Sequence, residues 1–308
     1  MSSTYTIGID LGGTYLKIAL VEASNRIKDK QVYDTRSYRN KESLINAITT
    51  ACQNIIAKNK LNKNQISAIG LGLPGPINSK KGLVHFFPNI PGWKEVYLGK
   101  ILKTRLKNDI YLDNDANLMA LAEQREGAAK GFANAVCLTL GTGVGGGLIL
   151  EGKLFRGTDF AAGEIGHIPL GISGEQCNCG GRACLERYIG NNRLLEKAKK
   201  SFGKNISLEE LSQLSIKRNK KAIAFWQETG VYLGVVLSGV VNLLNPGIIV
   251  LGGGVANAGK ILFDSVKNTI RQRAMPVQSE NLRVVKAKLG RDAGMIGAGI
   301  LAREKGKV

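Results

Sequence analysis

The feature that most constrains this chain is a pattern that occurs twice. Thr6-Ile7-Gly8-Ile9-Asp10-Leu11-Gly12-Gly13-Thr14 reads as an apolar strand running into a glycine turn, and Leu16 to Val21 returns as a second strand. The same pattern comes back at Val136-Cys137-Leu138-Thr139-Leu140-Gly141-Thr142-Gly143, with Leu148 to Leu150 as the return strand. Aligning Gly12 with Gly141 also pairs Leu11 with Leu140, Leu20 with Ile149 and Glu22 with Glu151. A single glycine turn says little; two in matching strand context point to an internal duplication. The length of 308 residues suits this, since a domain takes roughly 150.

The segments around these hairpins alternate between strand and helix. Ser43 to Lys58 carries apolar residues at helical spacing, with Ser43 as a candidate cap. Ile66 to Leu73 is a strand that stops at Pro74-Gly75-Pro76, and Ile110 to Asp113 is a shorter one. Helical patterns cover Asn117 to Ala129, Leu208 to Leu214 and Lys220 to Leu244. The apolar stretch Val231 to Val255, broken by Asn242, Asn245 and Pro246, reads as a buried helix, a turn and a buried strand rather than a membrane span. Its strand, Ile248 to Leu251, ends in Gly252-Gly253-Gly254, and Ala293 to Ala302 is a small-residue helix able to pack closely. No low-complexity linker interrupts the chain, so a boundary near Asp115 to Gly131 is expected to be a hinge.

Charge narrows the partners. The balance of 43 basic and 24 acidic residues leaves +19, which raises the question of nucleic acid. The basic residues are spread, as at Lys58, Lys60 and Lys63 or Lys217, Arg218, Lys220 and Lys221, without aromatic interleaving. They read as solvated helix faces, so no nucleic-acid partner is expected, although small polyanions would be attracted. The start, Met1-Ser2-Ser3-Thr4-Tyr5, lacks the basic-then-apolar order of a signal peptide. A cytoplasmic location and reduced thiols are therefore expected.

Three motifs carry chemistry. Glycine turns after strands let backbone N–H groups approach phosphate oxygens. Gly12-Gly13-Thr14 and Gly141-Thr142-Gly143 both fit, and each adds a hydroxyl. Asp10 could organise Mg²⁺ or its waters; the alternative is two tight hairpin turns with Asp10 satisfied locally. The pair of turns with the third run at Gly252 to Gly254 favours nucleotide binding, although neither a P-loop nor a Rossmann fingerprint is present. Asp113-Asn114-Asp115-Ala116-Asn117 follows a strand and opens a helix. Either Asn114 or Asp115 is simply the helix cap, or Asp115 accepts a proton from a substrate hydroxyl that Asn114 orients. Finally, His167 lies ten residues before Cys177, and Cys179 and Cys184 follow. One nitrogen and three sulfurs are the ligand set of a closed structural Zn²⁺ site, and the clustering favours metal over three loop thiols. His85 reads as a surface or loop histidine, and Cys52 and Cys137 as core.

Together these pieces resemble the ROK family (repressor, open reading frame, kinase) of sugar kinases, over nearly the whole chain. The resemblance rests on Asp10 to Thr14, Pro74-Gly75-Pro76, Asn114 to Asn117, Gly141 to Gly147, Glu164-Ile165-Gly166-His167, and Cys177-Asn178-Cys179-Gly180 through Cys184-Leu185-Glu186. It implies an α/β, actin-like ATPase (ribonuclease H-like) duplicated fold, with two domains around a cleft. Residues 1–115 would form the small domain, with the C-terminal helix, about 292–308, folded back onto it, and 116–291 the larger domain with the zinc loop. Asp115 matches the family's general base. Asn114, Glu164, His167 and Glu186 match sugar contacts, with Gly75 and Asn89 lining the same pocket. Asp10, Gly12, Gly13, Thr14, Gly141, Thr142 and Gly143 match phosphate loops, and Gly253 and Gly254 the adenosine side. The implied cofactors are ATP with Mg²⁺ and structural Zn²⁺, and the implied assembly is a homodimer or homotetramer.

The resemblance implies an ATP-dependent hexose kinase, glucose first. Fructose, N-acetylmannosamine, N-acetylglucosamine and allose are the alternatives, polyphosphate an alternative donor, and a non-catalytic sugar-responsive regulator the other class. Regulators of this family carry a DNA-binding helix-turn-helix before the first phosphate motif; with nine residues ahead of Asp10, none is expected here. One departure from the family pattern is Ala183, where glycine usually precedes the last cysteine; a positive φ there would strain it.

Overall fold

The computed structural model describes residues 5–38, 40–87 and 93–306. Asn89 lies outside the described residues. The chain divides into two compact units, one of residues 1–126, 154–162 and 291–308, the other of 127–153 and 163–290.

The first unit opens with β1 (Tyr5–Leu11), β2 (Tyr15–Val21) and β3 (Ile27–Asp34), then α1 (Lys41–Lys58) and β4 (Ile66–Leu73). A small sheet of β5 (Ile77–Asn78), β6 (Leu83–Phe86) and β7 (Lys94–Val96) leads to α2 (Leu98–Leu106), β8 (Ile110–Asn114) and α3 (Asp115–Glu126). The main sheet runs β3-β2-β1-β4-β8. β2 is antiparallel to its neighbours, whereas β4 and β8 run parallel to β1. Ile7, Ile9, Leu16, Ile18 and Leu71 from the sheet and Leu44, Ile48 and Ile55 from α1 share one buried core. α1 starts earlier than its apolar pattern suggests. Asn40 is the cap, accepting from the Ser43 N–H at 2.8 Å, and Ser43 reciprocates from three residues inside. His85 sits on β6 rather than in a loop, half-exposed, its Nδ1 2.8 Å from Glu95 Oε1.

The second unit holds β9 (Ala135–Leu140), β10 (Val144–Leu150) and β11 (Lys153–Phe155), followed by α4 (Glu186–Ile189), α5 (Asn191–Phe202), α6 (Leu208–Ile216) and α7 (Lys220–Leu244). Then come β12 (Ile248–Gly252), α8 (Lys260–Arg273), α9 (Pro276–Ser279) and β13 (Arg283–Lys286). The sheet order is β11-β10-β9-β12-β13, and β12 again runs parallel to both neighbours. The two sheets thus share strand order, and β9, β10, β12 and β13 share the directions of β1, β2, β4 and β8, so the duplication extends beyond the hairpins. α7 is the one helix among the described residues long and apolar enough to cross a membrane, and half of its most apolar window is buried. It packs along α8, with Trp226 and Leu237 inside, and Asn245 ends it in the left-handed region. Cys52 and Cys137 are fully buried, and burial pushes the Cys52 thiol up to about 12.

The hairpins themselves correct the alignment drawn from the sequence. Leu11 pairs with Leu16, leaving four residues, Gly12 to Tyr15, in the first turn. Leu140 pairs with Val144, leaving three, Gly141 to Gly143, in the second. The return strands are therefore offset by one residue. Leu20 faces Ile7, and the residue facing the equivalent Val136 is Leu148, not Ile149. Glycine content marks a turn but not its length, so apolar matching ran one position too far.

α10 (Ala293–Lys305) belongs to the first unit. It lies so close to β1 and β4 that a Cβ on Gly8 would fall 1.9 Å from the Met295 carbonyl oxygen, and one on Gly70 1.9 Å from that of Ala298. Only glycine strands and a small-residue helix allow that approach. α3 packs against α10 as well. As a result the first unit continues through Glu126 rather than stopping at 115, and it includes the segment 154–162.

Candidate active site and metal centre

The candidate acid–base corner lies at the β8–α3 junction. Asn114 is the cap of α3: its Oδ1 accepts from the Ala116 N–H at 2.9 Å and from the Asn117 N–H at 3.4 Å. Asp115 is the first helical residue, so its carboxylate stands at the positive end of the helix. Asp115 Oδ1 accepts from the same Ala116 N–H at 2.8 Å, so both side chains serve the helix head. Asn114 Nδ2 donates to the Gly75 carbonyl at 3.3 Å, which brings the Pro74-Gly75-Pro76 turn to the corner. Gly75 has φ +93°, a conformation glycine supplies. Asn114 keeps one amide hydrogen for a further acceptor.

Sequence reasoning missed what stands behind this corner. Asp113 is buried and accepts at Oδ2 from Arg156 Nε at 2.7 Å and Nη2 at 2.6 Å. Its Oδ1 accepts from the Asn114 N–H and from Asn117 Nδ2, both at 2.9 Å.

The first glycine turn closes through the Gly12 N–H to the Tyr15 carbonyl at 2.9 Å. Thr35 donates its N–H to the Thr14 carbonyl at 2.9 Å. A cavity of about 270 Å³ opens beside Gly12 and Gly13, with Arg36 and Phe87 in its wall. Asp10, one residue from the strand end, pairs with Lys17 at 2.8 Å across the hairpin. It packs against Gly294 in the first turn of α10, where a Cβ would sit 2.6 Å from its Cγ. Lys17, a cation held at the first glycine turn, was not singled out from the sequence; only the hairpin register shows it opposite Asp10.

The second unit gathers the remaining residues. The Gly141 N–H donates to the Gly143 carbonyl at 2.9 Å, and the Asn191 N–H to the Gly141 carbonyl at 2.8 Å. Glu186 Oε2 accepts from the Val144 N–H at 2.8 Å. A Cβ on Gly143 would lie 2.5 Å from that same oxygen, so glycine is required for the carboxylate to reach the turn. Glu186 therefore braces the second turn. Gly253, at φ +86°, backs onto β9, where a Cβ would fall 2.3 Å from the Leu140 carbonyl oxygen. Gly254 lies beside the Asn191 amide. Gly141 to Gly143, Gly253, Gly254 and Asn191 thus converge, and the Asn191 Oδ1 is a buried acceptor without a donor.

Glu164 precedes the short 3₁₀ turn Ile165–His167. Burial raises its pKa, His167 pulls it back, and the charge of Glu186 pushes it up again. His167 presents its two nitrogens to different groups. Nε2 lies 3.8 Å from Glu164 Oε2, and Nδ1 lies 3.7 Å from Cys177 Sγ. The ligand atoms of His167, Cys177, Cys179 and Cys184 all lie within 4.8 Å of one another, and the Cys179 and Cys184 sulfurs are 3.6 Å apart. Tetrahedral zinc, with bonds of about 2.3 Å to sulfur and about 2.0 Å to nitrogen, needs ligand atoms roughly 3.5–3.8 Å apart. The cluster has the donor set for that ion, and the His167–Cys177 and Cys179–Cys184 pairs already have the spacing. A tight turn holds it: the Cys177 N–H donates to the Gly181 carbonyl at 2.8 Å, and the Gly181 N–H donates to Cys179 Sγ at 3.4 Å. Ala183 takes φ +55°, so the strain expected of a side chain at this position is present.

A family model described as ROK family matches residues 6–305. The chain belongs to the ROK family. It is 31% identical to a glucokinase of Thermotoga maritima, with 97% of each chain covered. A ROK family glucokinase from Streptomyces griseus, solved in complex with glucose and AMPPNP, superposes with a TM-score of 0.83 at 29% identity, covering 97% of this chain and 99% of that one. A ROK family transcriptional regulator, a homologue of the E. coli MLC protein, superposes with a TM-score of 0.88 at 26% identity, covering 96% of this chain and 77% of the regulator. Kinases and regulators of the family therefore share this actin-like fold, and the site residues have to carry the functional argument.

Proposed function

We propose that this chain transfers the γ-phosphoryl group of Mg-ATP to a hexose hydroxyl, with the 6-hydroxyl of glucose as first choice. The observation that carries the reading is the β8–α3 corner, where Asn114 and Asp115 stand side by side at the helix head and Asn114 reaches the Gly75 turn. Asp115 takes the proton of the attacking hydroxyl. Asn114, with its remaining amide hydrogen, and Gly75, Asn89, Glu164, His167 and Glu186 hold the other hydroxyls, which need paired partners once out of water.

The turns Gly12-Gly13-Thr14 and Gly141-Thr142-Gly143 would receive the phosphates through backbone N–H groups, Asp10 would organise the metal of Mg-ATP, and Gly253 and Gly254 would line the adenosine side. Phosphoryl transfer asks for positioning and charge neutralisation more than covalent help, which suits this set. His167 and the three cysteines would hold Zn²⁺ in a structural role, which would leave His167 Nε2 for the sugar. Reduced thiols and an ATP donor suit the cytoplasm, and a homodimer or homotetramer is the assembly expected from the family. The glucokinase relatives support glucose among the hexoses.

The test is sugar-dependent ADP formation from Mg-ATP with glucose, fructose, mannose, N-acetylglucosamine, N-acetylmannosamine and allose. Turnover greatest on glucose is the expected result. Turnover on another of these sugars alone corrects the substrate. No turnover on any sugar, with either ATP or polyphosphate as donor, overturns the kinase reading in favour of a sugar-binding regulator.

A further inference from the structure

Arg156 lies 43 positions from Asp113 in a segment without regular structure, and nothing in the reaction itself calls for it. Yet its guanidinium makes an enclosed ion pair, with the Asp113 side chain 3% exposed and that of Arg156 20% exposed. Two features set this pair apart from an ordinary buried salt bridge.

The first is saturation. Arg156 approaches Asp113 Oδ2 through two nitrogens, while Oδ1 holds the Asn114 N–H and the Asn117 side chain. Both carboxylate oxygens are thus tied, and three of the four ties lead to Arg156 or to the residue just before Asp115. The second is placement. The segment 154–162 belongs to the first unit although the chain on either side of it belongs to the second. It is closed on itself by the Ala162 N–H to the Arg156 carbonyl at 3.0 Å, and the chain continues directly into Gly163 and Glu164.

We infer that Arg156 is a positioning residue for the acid–base corner. Acting through Asp113, it fixes the peptide between residues 113 and 114 and thereby the direction in which the Asp115 carboxylate is presented. The inference rests on the reading of Asp115 as the base. The guanidinium is suited to this because its planar fork sets a direction, which a lysine ammonium does not. A shift of about 1 Å at a reacting group costs roughly 10²-fold in rate, so the signature is a loss of kcat without a matching loss of substrate binding.

The experiment uses the full chain, Mg-ATP and glucose, or whichever sugar the panel selects. Variants are Arg156→Met, Arg156→Lys and the double variant Asp113→Asn/Arg156→Met, with wild type and Asp115→Asn as controls. Arg156→Met is expected to lose about 10²-fold in kcat, while KM for ATP and the calorimetric Kd for the sugar stay within about threefold. Arg156→Lys should recover part of the loss. The double variant buries no unpaired charge and should regain the wild-type melting temperature, yet its kcat should remain low. This variant keeps the test open if Arg156→Met does not fold.

Kcat returning to the wild-type level together with melting temperature in the double variant would overturn the inference, since the pair would then serve stability alone. So would kcat within threefold of wild type in Arg156→Met. An inactive wild type, or an active Asp115→Asn, defeats the reading of the base instead, and the two failures are distinguishable.

Discussion

The two glycine turns share a backbone plan and differ in where their charge comes from. Both follow the central strand of a sheet with the same strand order, and each is closed by an antiparallel return strand. At the first turn the position before the last strand residue is Asp10, facing Lys17 across the hairpin. At the second the corresponding pair is Thr139 and Gly145, which carries no charge. There the carboxylate arrives from elsewhere in the chain, when Glu186 accepts from the Val144 N–H. Duplication preserved what the backbone does, offering N–H groups at a strand end, and left the side chains free to diverge. One copy keeps its charged pair within the hairpin, while the other borrows an acid from the segment that follows the zinc-type cluster.

The sharpest way to break this comparison is to neutralise equivalent positions. Asp10→Asn is expected to lower kcat by about 10²-fold, the scale for removing one preorganised electrostatic partner. Thr139→Ala, at the matching position, should leave kcat within about twofold. Steady-state assays under saturating Mg-ATP check both, and similar losses in the two would mean that the turns do equivalent work.

The cluster beside the second turn gives the next largest effect. Cys184→Ser should lose stoichiometric zinc by elemental analysis and weaken sugar binding by about 10- to 100-fold, because His167 loses its fixed orientation. Metal loss should also set in as pH falls, since the thiols and the imidazole must give up their protons to bind. Unchanged sugar affinity in the zinc-free variant would separate the cluster from the site.

A smaller pair of substitutions sharpens the steric difference. Gly143→Ala drives the Glu186 carboxylate off the Val144 N–H, whereas a Cβ at Gly12 meets nothing closer than 3.7 Å. Losing one buried hydrogen bond costs about 1 kcal/mol, or roughly 2–4 °C in melting temperature. Gly12→Ala should melt with the wild type, and calorimetry on the two variants reads the contrast directly.

How much of this was legible follows from what kind of signal each feature leaves. Apolar runs ending in glycine announced both hairpins, and donor chemistry with close spacing announced His167, Cys177, Cys179 and Cys184. The one-residue difference between the turns left no such mark, because period-two patterning tolerates a slip at a turn. Asp113 stood in plain view within Asp113-Asn114-Asp115, but its partner did not. Arg156 follows a short edge strand in a stretch with no periodicity, and only the folded chain brings the two together. The α1 cap was misplaced from Asn40 to Ser43 because either residue is a good cap, and hydrogen-bond direction decides between them.

The smallest expected effect lies at Ala183, whose positive φ marks a position better suited to glycine. Ala183→Gly should stabilise the fold by about 0.5–1 kcal/mol, strain relief offset in part by chain entropy, and leave zinc content unchanged.

The central claim is that Asp115 moves the proton while the rest of the corner holds the sugar. Its most direct test pairs sugar-dependent ADP formation with calorimetric sugar binding for wild type and Asp115→Asn. The account predicts a loss of kcat of about 10²- to 10⁴-fold, with sugar affinity close to that of wild type. Turnover near the wild-type level, or complete loss of sugar binding in the variant, would contradict it.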